Sequence, residues 1–412
     1  MSELEKTLAK DKVLIKIEPE SKGLDIHKNI RKLYLYQFFM NFMLITGILI
    51  PFFLTWGGLT FVEVMYLESL FTIMIFVFEV PCGAISDYFS RRSSLALAGV
   101  TGSIGVIVYT LYPSIYIFAI GETIFAFTAA LISGTDQAIM YDTLKKLNKK
   151  DDLSKIIARA NIFCLIGLMI SAPLGSGLAY CIPLPTIFML MIIPFTIGAI
   201  VALTLKEPNH DIEKQPQAYL KIVKSGLNEL KRNKALRTLA LDSITLEVFT
   251  FFMIWTYQLY LKDLNVPIIY YGFVASGLAL IQMVFSHYIP IWEDKIEDKR
   301  KFLLIYSLLP GISYILIAMI RFLPIGVLLI LLIVGFGFSR RFLFVNAIND
   351  QIGTENRATV LSTVSMFSSI IRAGVYPLIG YCVMWDLNLG FIVLGAIVIA
   401  FALLSRLKNK YI

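Results

Sequence analysis

A short charged stretch between two apolar runs decides how this chain folds. Residues 83–92 read GAISDYFSRR, and the apolar runs that flank them lie at about 60–80 and 94–111. Each run is close to the length that a transmembrane helix needs, roughly 20 apolar residues. We therefore predict that residues 83–92 form a short loop between two membrane spans.

Ten further apolar runs repeat this pattern along the chain. Only 16% of the 412 residues are charged and 57% are hydrophobic, whereas a soluble globular protein is about a quarter charged. This composition excludes a soluble fold, a disordered chain, a nucleic-acid-binding module and a small disulfide scaffold. We predict an all-α polytopic membrane protein with twelve transmembrane helices, which we number spans 1 to 12. The ten further runs lie at about 32–54, 114–141, 156–180, 184–205, 236–260, 268–290, 302–320, 323–347, 357–383 and 388–405.

The basic residues indicate which ends of the spans face the cytosol. They recur in alternate loops, whereas the opposite loops hold almost none beyond Lys262 and Arg321. Loops rich in Lys and Arg are cytoplasmic, and an even number of spans places both termini on that side. This distribution also accounts for the net charge of +8 without a nucleic-acid partner. The basic loops hold Arg91 and Arg92; Lys145, Lys146, Lys149 and Lys150; Lys299, Arg300 and Lys301; and Arg406, Lys408 and Lys410.

The longest loop divides the chain into two halves of six spans. Within residues 206–235, Leu220, Val223, Leu227 and Leu230 recur at helical spacing among lysines, which predicts an amphipathic helix on the inner leaflet. The predicted organisation has five parts. These are a cytosolic tail at 1–30, a first half at 31–205, the cytosolic connector at 206–235, a second half at 236–405 and a cytosolic tail at 406–412.

The stretch 83–92 resembles the signature loop of the major facilitator superfamily, in which Gly, three residues and Asp precede a basic residue, any residue, Gly and two basic residues. Tyr88 and Ser90 stand where the family prefers a basic residue and Gly. Further stretches resemble the drug:proton antiporter-like branch, namely 79–83, 133–144, 207–208, 355–362 and the Gly- and Pro-containing part of span 5. The resemblance implies two pseudo-symmetric six-helix halves that move around a central site by alternating access.

The same resemblance implies a cytoplasmic latch. Asp87 would cap the N-terminus of span 11 near Arg357, and Arg91 or Arg92 would reach an acid at the end of span 4. These contacts would hold the inner gate shut and break when it opens. In the alternative interpretation the two arginines only set the topology. The latch residues expected from the resemblance are Gly83, Asp87, Arg91, Arg92, Asp142 and Arg357.

Charged residues inside the spans are the candidates for coupling and binding. An ionisable residue in a span costs roughly 2.5–3.5 kcal/mol on insertion scales, so it needs a reason. A buried carboxyl can bind and release protons near neutral pH, which is the chemistry that couples transport to a proton gradient. Alternatively, each acid pairs permanently with Arg340, Arg341 or Arg372. The proton-coupling candidates are Glu68, Glu122, Asp136 and Glu247.

The resemblance implies that spans 1, 4, 7 and 10 line the substrate cavity. Periodicity places one stripe on span 4 and one on span 7. The first holds Glu122, Phe125, Ala129, Ser133 and Asp136, and the second holds Glu247, Phe251, Trp255 and Gln258. Arg372 has three interpretations: it binds a substrate anion, it is the counter-ion of a carboxylate, or it bonds to a neighbouring helix carbonyl. The cavity candidates are Gln37, Asn41, Phe125, Phe251, Trp255, Gln258, Arg340 and Arg372.

Motifs for other chemistries are missing from the sequence. It has no GxxxxGK loop, its three histidines are far apart with no HExxH, and its four cysteines are scattered. We therefore expect no enzyme, no cofactor and no metal site.

The leading hypothesis is a secondary transporter of small amphiphilic solutes that works as a monomer in the lipid bilayer of the plasma (cell inner) membrane. Proton-coupled export is the favoured mode, and the direction rests on the resemblance. One alternative is proton-coupled or facilitative uptake of an organic anion or nutrient. Another is a non-transporting sensor on the same fold, which would bind a partner through the connector.

Overall fold

The computed structural model describes residues 20–88, 90–207, 228–293, 296, 298–350 and 357–405. Within these ranges it does not describe the side chains of residues 20–27, 87–88, 290–293, 340–347, 349–350 and 357–359. The candidate residues Asp87, Arg340 and Arg357 therefore have a described backbone but no described side chain. Most of the connector, including the predicted amphipathic stretch up to Leu227, lies outside the described residues.

The described chain is helical, as predicted. The first half comprises the helices Glu20–Met40, Leu49–Pro51, Phe61–Tyr88, Arg91–Leu111, Ile115–Ile132, Thr135–Lys146, Leu153–Leu178, Leu184–Leu190 and Ile192–Leu203, with a π-helix at Phe52–Trp56. The second half comprises Lys234–Phe251, Met253–Asp263, Tyr271–Glu293, Lys299–Met319, Leu323–Asp350, Arg357–Trp385 and Leu387–Leu404. Ten helices of the described chain are long and apolar enough to cross a membrane, and Leu323–Ser339 is a shorter apolar helix.

Span 1 is not among these long helices, because it is interrupted. Its first helix ends at Met40, and regular helix resumes only at Leu49. Spans 4 and 7 also consist of two helices each. Gly134 adopts a φ of 74°, a left-handed conformation that favours glycine, and it separates the two helices of span 4. The twelve-span architecture therefore holds, with interruptions in three of the spans that were expected to line the cavity.

Side-chain caps fix where several spans begin. Ser90 Oγ accepts a hydrogen bond from the backbone N–H of Ser93 at the start of span 3, and Asn233 accepts two at the start of span 7. Asp298 and Asp386 cap spans 9 and 12 in the same way. Ser90 stands where the signature loop prefers Gly, so the departure from the pattern supplies a helix cap. Since the helix of span 2 continues to Tyr88, the turn to span 3 is short.

Exposed apolar side chains lie on the outward faces of the spans. Val100, Ile104, Ile107 and Leu111 of span 3 are exposed at helical spacing. In water such a stripe would be unfavourable, whereas lipid chains solvate it. The surface therefore agrees with a membrane environment.

Among the described residues, the most extensive packing between the halves is that of span 2 against span 11 and of span 5 against span 8. Gly272, at the start of span 8, lies in close contact with span 5. A Cβ added there would overlap the carbonyl oxygen of Ala172 and Oγ of Ser176, both in span 5. We call the end of the bundle where span 6 ends and span 7 begins the connector end, and the opposite one the far end. Gly272 lies at the far end.

Candidate functional site

A cavity of about 450 Å³ lies between the two halves. This volume is within the range of small-molecule sites, about 300–1,000 Å³. Spans 1, 2, 3, 4 and 6 line it from the first half, and spans 7 and 11 line it from the second. Its charged residues are Glu68, Glu122 and Arg372. The aromatic part of its wall comprises Phe71, Tyr109, Phe125, Phe188, Phe195, Phe251, Trp255 and Tyr376.

Two carboxyl groups face this cavity from neighbouring spans. Glu68 of span 2 is 5% exposed and Glu122 of span 4 is 6% exposed, and their side chains interact electrostatically. The phenol of Tyr109, which also lines the cavity, interacts electrostatically with the carboxyl of Glu122. Among the described side chains, none forms an ion pair with either acid. Permanent pairing of these two acids with Arg372 is thus absent from the structure.

Arg372 faces the same cavity from span 11. Its guanidinium carbon lies 4.4 Å from the centroid of the Phe251 ring, a cation–π contact. Its Nε is buried and has no hydrogen-bond partner within the described chain. A hydrogen bond from Nε to a neighbouring helix carbonyl is thus absent from the described chain, and the choice among the three interpretations of Arg372 stays a prediction. The ring of Phe251 contacts the guanidinium without using its N–H donors.

A hydrogen bond joins spans 2 and 11 next to these charged residues. Ser69 Oγ, beside Glu68, donates to the carbonyl oxygen of Ala373, beside Arg372, at 2.5 Å. The acid of the first half and the base of the second half therefore lie at similar depth. Trp255 adds a further buried donor, since its Nε1 has no hydrogen-bond partner of normal geometry in the described chain.

Gln37 and Asp136 bind each other beside the cavity rather than lining it. Gln37 Nε2 donates to Asp136 Oδ2 at 2.7 Å, and Asn41 Nδ2 donates to the carbonyl oxygen of Gln37 at 2.8 Å. Asn41 alone of the three lines the cavity. The break at Gly134 places Asp136 in the first turn of the second helix of span 4, away from the stripe that Glu122 and Phe125 share.

Span 7 contributes Phe251 and Trp255 to the cavity, but Glu247 and Gln258 do not line it. Gln258 lies outside the cavity because its amide is hydrogen-bonded to the backbone of span 1. Glu247 is half-buried, one turn nearer the connector end than Phe251.

Gln258 instead satisfies the broken backbone of span 1. It is 2% exposed; its Oε1 accepts from the N–H of Ile50 at 3.0 Å, and its Nε2 donates to the carbonyl oxygen of Thr46 at 3.1 Å. A buried backbone group without a partner is costly, and the unwound segment has such groups because it lacks helical bonds. One amide side chain supplies both a donor and an acceptor.

The predicted contact at the connector end is made by Arg91. Its Nη1 forms an ion pair with Oδ2 of Asp142 and donates to the carbonyl oxygen of Ala138 at 3.0 Å. Its backbone N–H also donates to Oε1 of Glu207 at 2.7 Å. Arg92 is exposed, and Gly83 lies within the helix of span 2. A role of these residues in gating stays a prediction.

Several cavity residues carry no signal in the sequence. Thr72, Tyr109, Phe188 and Tyr376 lie on spans 2, 3, 6 and 11, whereas the resemblance directed attention to spans 1, 4, 7 and 10. Their place depends on how the two halves meet. The periodicity of one helix does not predict how the two halves pack against each other.

Known proteins show the same fold. A variant of the nucleoside transporter NupG superimposes with a TM-score of 0.76 at 14% identity, covering 92% of this chain and 98% of that one. A bacterial homolog of the human lysosomal transporter Spinster, in an inward-facing and unoccupied conformation, gives 0.73 at 14% identity over 92% and 96% of the two chains. A D-xylose–proton symporter gives 0.67 at 14% identity, again over 92% and 96%.

No curated protein sequence matches the chain. The family model described as Major Facilitator Superfamily matches residues 34–373, most of its length. Together with the twelve-span architecture and the cavity between two halves, this match identifies the protein as an integral membrane transporter that belongs to the Major Facilitator Superfamily.

Proposed function

We propose that the chain is a secondary active transporter that moves a small amphiphilic solute by alternating access, with proton-coupled export as its mode. The observation that carries the proposal is the pair Glu68 and Glu122, two buried carboxyls in an apolar cavity between two halves. We further propose that it works as a monomer in the plasma (cell inner) membrane, with its connector end in the cytosol.

The distribution of contacts between the halves supports alternating access. Hydrogen bonds join Ser176 to Ile269, Ser276 to Met169, Tyr66 to Tyr381, Ser69 to Ala373, and Gln258 to Thr46 and Ile50. Each lies in the part of its span nearer the far end. At the connector end, the described side chains show an ion pair of Arg91 with Asp142 inside the first half and a bond from Arg91 to Glu207 at the start of the connector. This pattern fits a conformation that is closed at the far end.

The carboxyl pair supports proton coupling. Two carboxylates that lie close together repel each other when both are charged. The free energy of holding a proton at this pair therefore depends on what else occupies the cavity. A cationic solute that enters would favour release of the proton, and its departure would favour uptake. That exchange is the linkage that an antiporter requires.

The test measures proton flux in proteoliposomes that contain the purified protein. A panel of cationic, neutral and anionic amphiphiles is added in turn, to wild type and to the Glu68→Gln, Glu122→Gln and Glu247→Gln variants. We expect one class of compound to trigger proton movement, and we expect a loss of at least tenfold in Glu68→Gln or Glu122→Gln. Glu63→Gln is the matched control, because Glu63 lies on span 2 outside the cavity. Its carboxylate accepts a hydrogen bond from the backbone N–H of Thr60 at the start of that span.

If no compound of the panel triggered proton flux, with folding and orientation verified, that result would contradict proton-coupled transport of these compounds and would favour the sensor interpretation. Imposing the compound gradient in each direction separates export from uptake. Uptake of an organic anion is the second candidate, and Arg372 favours it, since this arginine faces the cavity without an ion-pair partner among the described side chains.

A further inference from the structure

The charges of the cavity are sorted between the halves of the molecule. Both acids, Glu68 and Glu122, belong to spans of the first half, and Arg372 belongs to a span of the second half. Glu68 and Arg372 lie at similar depth in the membrane, because a hydrogen bond joins their sequence neighbours Ser69 and Ala373. Even so, Arg372 forms no ion pair with either acid.

This separation is unusual for buried charges. In an apolar surrounding, opposite charges normally pair with each other, since an unpaired buried charge is strongly unfavourable. The geometry at Arg372 explains why it stays apart. The guanidinium stacks on Phe251 at 4.4 Å, on the side of the cavity formed by span 7. The ring stabilises the cation without using its N–H donors, which remain available to an incoming acceptor.

The rest of the described wall carries no further charge. Phe71, Phe125, Phe188 and Phe195 line it together with uncharged polar groups on Asn41, Thr72, Thr128, Trp255 and Ser369. The aromatic part binds an apolar body, and the uncharged polar groups can form hydrogen bonds. A ligand therefore obtains its ionic contacts from the three charged residues, and each charge left without a partner weakens binding.

We propose that the cavity binds a zwitterionic amphiphile. Its cationic group lies at Glu68 and Glu122, its anionic group lies at Arg372, and its apolar body lies among the aromatic side chains. A ligand with one charge neutralises only one half of the cavity. A ligand with both charges bridges the halves, so its binding energy acts directly on their relative position. This inference rests on the proposed function, and it adds the chemical class of the solute.

The test measures equilibrium binding to the purified protein in detergent micelles by titration calorimetry, without any gradient. The zwitterionic probe is N-benzyl-6-aminohexanoate, with N-benzyl-4-aminobutanoate and N-benzyl-8-aminooctanoate as shorter and longer charge separations. N-benzylhexylamine is the matched cation and 8-phenyloctanoate is the matched anion. We expect at least one zwitterion to bind tenfold or more tightly than both singly charged probes.

Variants assign each charge. Arg372→Gln should remove the advantage of the zwitterion over the cation, and Arg372→Lys should keep part of it. Glu68→Gln combined with Glu122→Gln should remove the advantage over the anion. Arg237→Gln, at an exposed position, and Glu63→Gln are the matched controls and should change neither. Thermal unfolding of each variant checks that it is folded.

Two results would overturn the inference: equal affinity for all probes, or a zwitterion preference that persists in Arg372→Gln. Counterflow of the tightest probe in proteoliposomes separates this inference from the proposed function. Binding of the zwitterion without counterflow keeps the ligand class and contradicts transport. Counterflow of the cation without a zwitterion preference keeps transport and contradicts the ligand class.

Discussion

Glu68 and Arg372 face one cavity from opposite halves of the protein without forming an ion pair, although the residues next to them in sequence, Ser69 and Ala373, are hydrogen-bonded at 2.5 Å. The backbones are close, and the charges remain apart because Arg372 stacks on Phe251. The cavity therefore presents an acid and a base to whatever enters it. Contacts at the far end, at the connector end and at the start of span 3 can be tested by substitution as well.

The amide of Gln258 should stabilise the folded protein. We expect Gln258→Leu to lower the free energy of unfolding by about 2–6 kcal/mol, because two backbone groups of span 1 lose their partners at about 1–3 kcal/mol each. The measurement is reversible denaturation in mixed micelles. Gln137→Leu is the control, since Gln137 is exposed. An unchanged stability in Gln258→Leu would contradict the structural role of this amide.

The close approach at Gly272 should be sensitive to a single methyl group. In Gly272→Ala the added Cβ overlaps backbone of span 5, so we expect the far end to open. The readout is the reaction of a cysteine at position 43, in a chain without its four native cysteines, with an impermeant thiol reagent added from each side of the membrane. Gly374→Ala on span 11 is the matched control, because nothing lies within 4 Å of its added Cβ. Equal accessibility in both variants would contradict the prediction.

The ion pair at the connector end should matter more than an exposed pair on the same surface. The side chains of Arg91 and Asp142 are 15% and 14% exposed. We expect Asp142→Asn to destabilise the protein by about 1.5–3 kcal/mol, the value of a hydrogen bond to a charged group. Asp152→Asn breaks the exposed pair with Lys155 and should change stability by about 0–1 kcal/mol. If the charge-swapped double variant Arg91→Asp, Asp142→Arg regained no stability, the pair itself would not be the cause.

The cap at Ser90 should explain why this residue departs from the signature pattern. Replacing an N-cap serine by alanine costs about 1 kcal/mol, and by glycine only a few tenths. We therefore expect Ser90→Ala to destabilise span 3 measurably and Ser90→Gly to be nearly neutral. The same denaturation experiment measures both. Ser154→Ala, at an exposed position early in span 5, is the control, and equal effects of Ser90→Ala and Ser90→Gly would argue against the cap.

The sequence was sufficient for the architecture. The alternation of apolar runs with basic loops predicts the twelve spans, and residues 83–92 lead to the family that the model match confirms. The predicted end of span 6 at about 205 agrees with the observed helix end at Leu203. These features depend on composition and on local order, which a sequence displays directly.

The cavity was only partly predictable. Asn41, Glu68, Glu122, Phe125, Phe251, Trp255 and Arg372 line it. Gln37, Asp136, Glu247 and Gln258 do not. Gln37 and Asp136 bind each other, and Gln258 binds the backbone of span 1. The break in span 4 takes Asp136 off its predicted stripe, and of the breaks in spans 1, 4 and 7 only this one contains a glycine with positive φ. Tyr109 and Tyr376 reach the cavity through the packing of different spans, which no helical period reveals.

The interruption of span 1 bears on the energy difference between the closed and open states of the far end. In the closed state Gln258 completes the backbone of Thr46 and Ile50. In the open state that we propose, water would take over both bonds, and the freed amide of Gln258 would be hydrated as well. The transition thus exchanges protein partners for solvent partners in equal number, and such an exchange changes the net free energy little. Because the closed and open states then differ little in free energy, a ligand that binds one state only modestly more tightly would determine which state is populated.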